Sequence, residues 1–327
     1  MKLSNKGFSK ELLSHPLFVT AVAIFCCLLW GSATPCIKLG YELVLPERNV
    51  PSTILFAGIR FFFAGILTVI IFSAARRKVL FPKPKSWGMV LTVSAFQTVL
   101  QYIFFYVGLA NTSGVKGTIL TGSSTFFAIL VSSLIFRIEK LNVKKIVACV
   151  LGLTGIVIIN LNGLDLHMNF LGDGFAIFSA ISLAISSTLI KIFSSKEDPV
   201  TISGYQFIIG GAVMIVIGLA FGGKISLAEP LGVVILTYLS FLSAIAYSLW
   251  GILLKHNPVS SVTVFSFTTP VFGVLLTMLM LSEDSNVSVI NLILALLLVC
   301  GGIFLLNFKP RTKQVAAPQA ESNTEGK

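Results

Sequence analysis

The segment GIVIIN at residues 155–160 returns almost unchanged as GIFLLN at residues 302–307. Each copy closes an apolar run. The apolar run one earlier along the chain is followed by a similar acidic turn in both cases. This turn is RIEKLNV at 137–143 in the first half and LSEDSNV at 281–287 in the second. The order and the spacing of these segments are the same in both halves of the chain. The fold is therefore predicted to be a duplicated unit.

The earlier part of each half carries a weaker copy of a second segment. IRFFFAG at 59–65 is similar to YQFIIGG at 205–211. This alignment sets Gln206 opposite Arg60, so any role of that cation is confined to the first half.

The composition indicates the environment of the duplicated unit. Of the 327 residues, 55% are hydrophobic and 11% are charged, and the mean hydropathy is +0.93. Apolar runs of about 18 residues or more recur, and each is long enough to cross a hydrocarbon core of about 30 Å. We predict an all-α polytopic membrane protein with ten transmembrane helices, at 17–37, 52–73, 87–108, 115–136, 143–160, 173–194, 201–221, 230–253, 261–281 and 287–307.

The Lys and Arg residues of the short loops predict the orientation. With the N-terminus inside, 19 of the 24 cations fall in inner segments and 4 in outer loops. Cytoplasmic loops carry such an excess, so both termini are expected in the cytoplasm. The net charge of +11 then reflects topology and contact with anionic membrane lipid, and no nucleic-acid partner is needed to explain it.

Five spans per half is an odd number, so the second half enters the membrane from the opposite side. This predicts two inverted five-helix repeats, an architecture of alternating-access transporters. The predicted organisation is a cytoplasmic N-terminal segment (1–16), a first repeat (17–160), an external connecting loop (161–172), a second repeat (173–307) and a disordered cytoplasmic tail (308–327).

The chain resembles the EamA-type carriers of the drug/metabolite transporter superfamily. The resemblance rests on the tandem five-helix repeats, WGSATPCIK at 30–38, GIRFFFAG at 58–65 and GDGFAIFSAIS at 172–182, and on a Glu after the fourth and ninth spans. It covers roughly residues 17–307. It implies a ten-helix carrier with a central cavity between the halves that moves small metabolites such as amino acids.

Arg60 is the only formal charge well inside a predicted span. At a rise of 1.5 Å per residue it lies about 12 Å deep, where an Arg usually faces protein or water. Two interpretations remain open. Arg60 binds a substrate carboxylate, or it caps freed backbone carbonyls and holds the outer half together.

Large amphipathic side chains on three other spans are candidates for a cavity wall, since they hydrogen-bond or stack on a solute. In the first span Trp30 and Thr34 lie just before Pro35. A proline removes one backbone hydrogen bond and bends a helix. The alternative is that the small residues there only allow close helix packing. With Arg60, the predicted substrate-binding residues are Trp30, Thr34, Gln97, Gln101, Tyr247 and Trp250.

These features predict a secondary transporter, not an enzyme, that exports an amino acid or related small metabolite across the plasma membrane, the inner membrane of a bacterium. A channel or sensory membrane protein is the alternative, and a membrane enzyme is a weaker one because no intramembrane nucleophile, acid pair or His cluster is present. No cofactor or metal is expected, since Cys and His lack ligand spacing. The acids lie in tails, loops and helix ends, leaving Glu139 and Glu283 for any proton coupling.

Overall fold

The computed structural model describes residues 10–112, 114–159, 161, 167, 169–281 and 289–307. Within these ranges the chain is helical and contains no strand. A single turn at Lys10–Leu13 precedes the long helices. We number the long helices α1 (Pro16–Val44), α2 (Val50–Arg76), α3 (Pro84–Asn111), α4 (114–135), α5 (Val143–Ile159), α6 (Phe170–Phe193), α7 (Pro199–Ala220), α8 (Pro230–His256), α9 (259–281) and α10 (Val289–Asn307).

The helices follow the predicted spans closely. Nine of them, within the described residues, are long and apolar enough to cross a membrane. The remaining helix, α5, has 17 residues there. The largest difference is at α1, which continues through Pro35 and ends at Val44, seven residues beyond the predicted end. Its 29 residues span about 43 Å, so α1 extends past a hydrocarbon core.

Both repeats begin their second helix in the same way. The Asn49 side chain accepts a hydrogen bond from Ser52 N at 2.9 Å and caps α2. The Asp198 side chain accepts one from Thr201 N at 3.2 Å and caps α7. Such caps satisfy backbone N–H groups that have no partner in the first turn.

Contacts of α2 and α7 support the alignment of Arg60 with Gln206. Arg60 Nε donates to Ser243 Oγ on α8, and Gln206 Nε2 donates to Gln97 Oε1 on α3. Donors and acceptors have the same offset between the halves, since 206 − 60 and 243 − 97 both equal 146. The two caps are offset by 149 residues (198 − 49), so α2 has three more residues between its cap and this position than α7 has.

Helices α2 and α7 pack together with their backbones in close contact. A methyl group on Gly58 would lie 2.7 Å from Ile215 N, and one on Gly65 would lie 2.6 Å from Ile208 N. Residue numbers rise along α2 as they fall along α7, so the two helices are antiparallel. In lipid, where the hydrophobic effect does not join helices, small residues that permit this approach hold them together.

The other helix pairs form a regular pattern. Helix α1 packs against α8 and α9, and α6 packs against α3 and α4. Helix α5 packs against α10, as α2 does against α7. If each helix of the first half is replaced by its counterpart in the second half, and the reverse, the same set of helix pairs results.

The bundle has two ends, which we name by their turns. The N-face carries the start of α1 and the α2–α3, α4–α5, α6–α7 and α8–α9 turns. The far face carries the other turns. On the N-face, Asn257 Nδ2 donates to Leu13 O at 3.0 Å and Lys191 Nζ donates to Asn257 O at 2.8 Å. On the far face, Lys224 Nζ pairs with Glu47 Oε1 at 2.8 Å.

We predict that Gly58→Ala lowers the thermal unfolding temperature of the detergent-purified protein by several degrees. The added methyl group meets the backbone of α7, which cannot move aside as a flexible side chain would, and overpacking of this kind costs about 1–3 kcal/mol. Gly301→Ala is the matched control, because a methyl group there has open space. Equal unfolding temperatures for the two variants would contradict the close α2–α7 contact.

Candidate functional site

A cavity of about 770 Å³ lies between the two halves of the bundle. Helices α1, α3 and α4 of the first half and α6, α8 and α9 of the second line it, and α2 contributes Arg60. Its lining reaches Tyr41, Leu109 and Thr277, near the far-face ends of their helices. Towards the N-face it stops at Trp250 and Thr263, at least one turn short of the helix ends. The cavity thus extends from mid-bundle to the far face.

The structure brings all seven predicted residues to this cavity: Trp30, Thr34, Arg60, Gln97, Gln101, Tyr247 and Trp250. Many hydroxyl residues of the polar helix stripes also line it, including Thr121, Thr125, Ser179 and Ser266. Lining the cavity is a matter of position, and it leaves the role of each residue in substrate binding as a prediction.

Three large aromatic residues form one wall, which we call the aromatic wall: Trp30, Tyr247 and Trp250. The Trp30 ring centroid lies 4.9 Å from that of Trp250 and 5.1 Å from that of Tyr247, both edge to face. Edge-to-face pairs are favoured because the positive ring edge meets the negative ring face. Residue 30 can occupy this place because Gly31 beside it lets α9 approach, with Phe272 Cβ 2.5 Å from where a Gly31 methyl group would lie.

The structure adds tyrosines that the sequence analysis did not select. Tyr102 and Tyr106 line the cavity from α3, and Tyr41 lines it from α1. The Tyr102 and Tyr247 hydroxyl groups share a hydrogen bond of 3.0 Å. The four-residue spacing of Tyr102 and Tyr106, starting beside Gln101, places them on one helix face. That spacing is the signal that would have found them.

Arg60 lies at the edge of the cavity with 3% of its surface exposed. Its Nε and Nη2 donate to Ser243 Oγ at 3.2 and 3.0 Å, and its Cζ lies 4.8 Å from the centroid of the Phe61 ring. These partners hold the guanidinium group without neutralising it. Among the residues that the structure describes, no carboxylate pairs with Arg60, and none lines the cavity.

The two predicted glutamines differ in their surroundings. Gln97 Oε1 accepts a hydrogen bond from Gln206 Nε2 at 3.2 Å, and Gln206 Oε1 accepts one from Thr98 Oγ1 at 2.6 Å. Gln97 is thus committed to the contact between α3 and α7. Gln101 Oε1 and Trp30 Nε1 are buried and make no hydrogen bond within the protein. These two atoms are the better candidates for contact with a solute.

On the N-face, a largely buried carboxylate contacts the start of α9. Glu139, whose side chain is 9% exposed, pairs with Lys145 Nζ at 2.7 Å. It also accepts hydrogen bonds from Val259 N and from Ser260 Oγ at 2.5 Å, at the start of α9. An anion is favoured there because the backbone N–H groups and the helix dipole point at it. Glu139 lies in the α4–α5 turn and therefore joins that turn to α9, outside the cavity lining. Glu283 lies outside the described residues.

Further acid groups join turns on each face. Burial raises the pKa of Glu197, but the N–H groups of Lys83 and Asp198 outweigh burial and hold that pKa below its ordinary value. On the far face, the hydrogen bond from Lys224 lowers the pKa of Glu47. Each of these carboxylates is stabilised in its charged form by a contact between two turns.

Comparison with known proteins agrees with this architecture. The model of the EamA-like transporter family matches residues 17–161 and again residues 170–308. The chain belongs to the EamA-like transporter family. It is a multi-pass membrane protein of a transporter family, with the family domain present twice.

Several similar proteins are transporters by name. The chain is 24% identical over 297 residues to "Uncharacterized transporter YvbV" of Bacillus subtilis, covering 90% of this chain and 92% of that protein. It is 23% identical over 291 residues to "WAT1-related protein At3g02690, chloroplastic" of Arabidopsis thaliana, covering 85% and 67%. A solved crystal structure with 18% identity superimposes with a TM-score of 0.72 over 88% of this chain and 95% of the other. This EamA-family member shares its fold with that structure.

We predict that Glu139→Gln lowers the thermal stability of the purified protein, by on the order of 3 kcal/mol. The change removes an anion from the start of α9 and leaves the largely buried Lys145 without its carboxylate partner. The double variant Glu139→Gln/Lys145→Met is expected to regain part of the loss, because it also removes the unpaired cation. Unchanged unfolding in the single variant would show that the carboxylate does not hold the α4–α5 turn to α9.

Proposed function

We propose that this EamA-family protein is a secondary transporter that exports a small organic metabolite, an amino acid or related compound, by alternating access. The observation that carries the proposal is the cavity itself. Each half of the duplicated chain contributes three helices to it, and α2 adds Arg60. The cavity extends to one face of the bundle, while Glu139 and α9 close the other.

The pattern of helix pairs supports an inverted repeat and suggests how access alternates. Since α2 and α7 are antiparallel, a twofold relation between the halves exchanges the N-face with the far face. If each half adopts the arrangement now held by the other, the N-face opens and the far face closes. The Glu139 contact with α9 and the 2.8 Å Arg76–Asp198 ion pair are N-face contacts that such a change would break.

The proposed orientation puts the N-face in the cytoplasm of the cell, with both termini, and the far face outside the plasma membrane. The excess of Lys and Arg in the N-face turns supports it. The structure then corresponds to the outward-open state, from which an exporter releases its cargo.

The alternatives have less support. A channel requires a continuous path, whereas the cavity stops short of the N-face. An enzyme requires reactive side chains, and the described lining residues include no carboxylate, histidine or cysteine. Nor do any three metal-ligating side chains lie together among the described residues. A solute carrier accounts for a cavity that both halves line and that extends to one face only.

We predict that Ala228→Cys on the far face reacts with an impermeant thiol reagent in intact cells, and that Lys85→Cys on the N-face reacts only after the membrane is opened. Both positions are exposed. The unmodified protein is the control, because four of its five cysteines are buried and the exposed one, Cys300, lies within α10. The reverse labelling pattern would overturn the orientation.

We predict that cells containing the protein release at least one metabolite faster than cells without it, in an untargeted comparison of cells and medium. Thr121→Trp should abolish the difference, because the indole group fills part of the cavity. Leu297→Trp is the matched control, since Leu297 is 65% exposed on α10, away from the cavity. Release that survives Thr121→Trp at an equal level would place the transport path elsewhere.

A further inference from the structure

The charges around the cavity are one-sided. Arg60 brings a permanent positive charge to the cavity edge, Lys38 adds a second cation to the lining, and the described lining residues include no acid. Resting on the proposed function, we propose that the cargo is an organic monocarboxylate that has an apolar body and lacks an ammonium group. Its carboxylate binds Arg60, and its body lies on the aromatic wall.

The surroundings of Arg60 favour an anion. A guanidinium group has five N–H donors, and Ser243 Oγ takes those of Nε and one of Nη2. Ser243 cannot neutralise the charge, and its own hydroxyl group donates to Leu239 O at 2.9 Å. In a largely apolar compartment such a cation attracts an anion more strongly than it would in water. A carboxylate matches the planar donors of Arg in shape and in charge.

The aromatic wall favours an apolar body that bears a hydrogen-bond acceptor. Trp30 and Trp250 offer ring edges and faces for stacking. The buried Trp30 Nε1 has no partner in the protein, and an indole N–H is only a donor. A cargo oxygen would satisfy this group, whereas an ammonium group would not.

The same charges disfavour a cargo amine. An amino acid bound through its carboxylate would hold its ammonium group close to the Arg60 guanidinium group. The described lining offers no acid to pair with that ammonium group. This narrows the proposed metabolite class to compounds that keep the carboxylate and lack the amine.

The test uses four probes with one phenyl body: 3-phenylpropionate, 3-phenylpropanamide, 3-phenylpropylamine and phenylalanine. Tryptophan fluorescence of the purified protein reports binding, because two of its three tryptophans, Trp30 and Trp250, line the cavity. We expect the carboxylate to bind at least about tenfold more tightly than each of the other probes. If the amine or phenylalanine binds as tightly as the carboxylate, or if no probe binds, the proposal is overturned.

Variants of Arg60 test its role in this ranking. Arg60→Gln should weaken binding of 3-phenylpropionate by about tenfold to a hundredfold and leave the amide unchanged. Arg60→Lys keeps the charge and should keep part of the preference. Lys224→Gln, which removes an exposed far-face cation, is the matched control and should change neither. Equal weakening of acid and amide by Arg60→Gln would show that the residue only maintains the fold.

The probe ranking on the unmodified protein decides the cargo class even if Arg60→Gln fails to fold. Failure of this proposal is also distinct from failure of the proposed function. Release of a neutral or cationic metabolite that Thr121→Trp abolishes would support transport and overturn the carboxylate. Binding of the carboxylate without any release of metabolite would support the carboxylate cargo and overturn the proposed transport.

Discussion

The antiparallel contact between α2 and α7 is the constraint on which the rest of the structure depends. Lipid tails are as apolar as the side chains they touch, so these helices are joined by close packing rather than by the hydrophobic effect. Glycines at Gly58 and Gly65 bring the two backbones together. This contact joins one helix of each half. It also fixes where Arg60, on the same helix, meets the cavity.

The sequence predicts the helices and the positions of the chosen site residues well, for a physical reason. Long apolar runs must be helical in lipid, because every backbone polar group has to be satisfied within the segment. A large polar side chain such as Gln101 is costly against lipid and so faces protein or a cavity. Sequence alone missed Tyr102 and Tyr106, because tyrosine is also common at membrane interfaces. The alignment of Arg60 with Gln206 agrees with the structure, because their partners Ser243 and Gln97 occupy matching positions of the two halves.

The polar groups of this protein are divided between holding the faces and lining the cavity. Acids such as Glu139 and Glu197 lie in turns, where they bind backbone N–H groups and neighbouring cations. The polar lining of the cavity, in contrast, consists of hydroxyl groups, amides, aromatic residues and the cations Lys38 and Arg60, among the described residues. Because the described acids lie at the faces, Arg60 is held in place by Ser243 but is not neutralised. An unpaired charge in an apolar compartment is costly.

Under the proposed function, this division of the polar groups links stability to transport. If a carboxylate of the protein paired with Arg60, the ion pair would be satisfied in every state, and an anionic cargo would have to displace the carboxylate. A hydroxyl partner such as Ser243 orients the guanidinium group without neutralising its charge, which leaves that charge for the proposed cargo. The Glu139 contact is different, because it joins the two halves at the N-face, and the proposed change of access requires its release. In the proposed cycle the cation that binds cargo and the carboxylate that holds the N-face shut are separate groups, so cargo enters or leaves without disturbing the N-face contact.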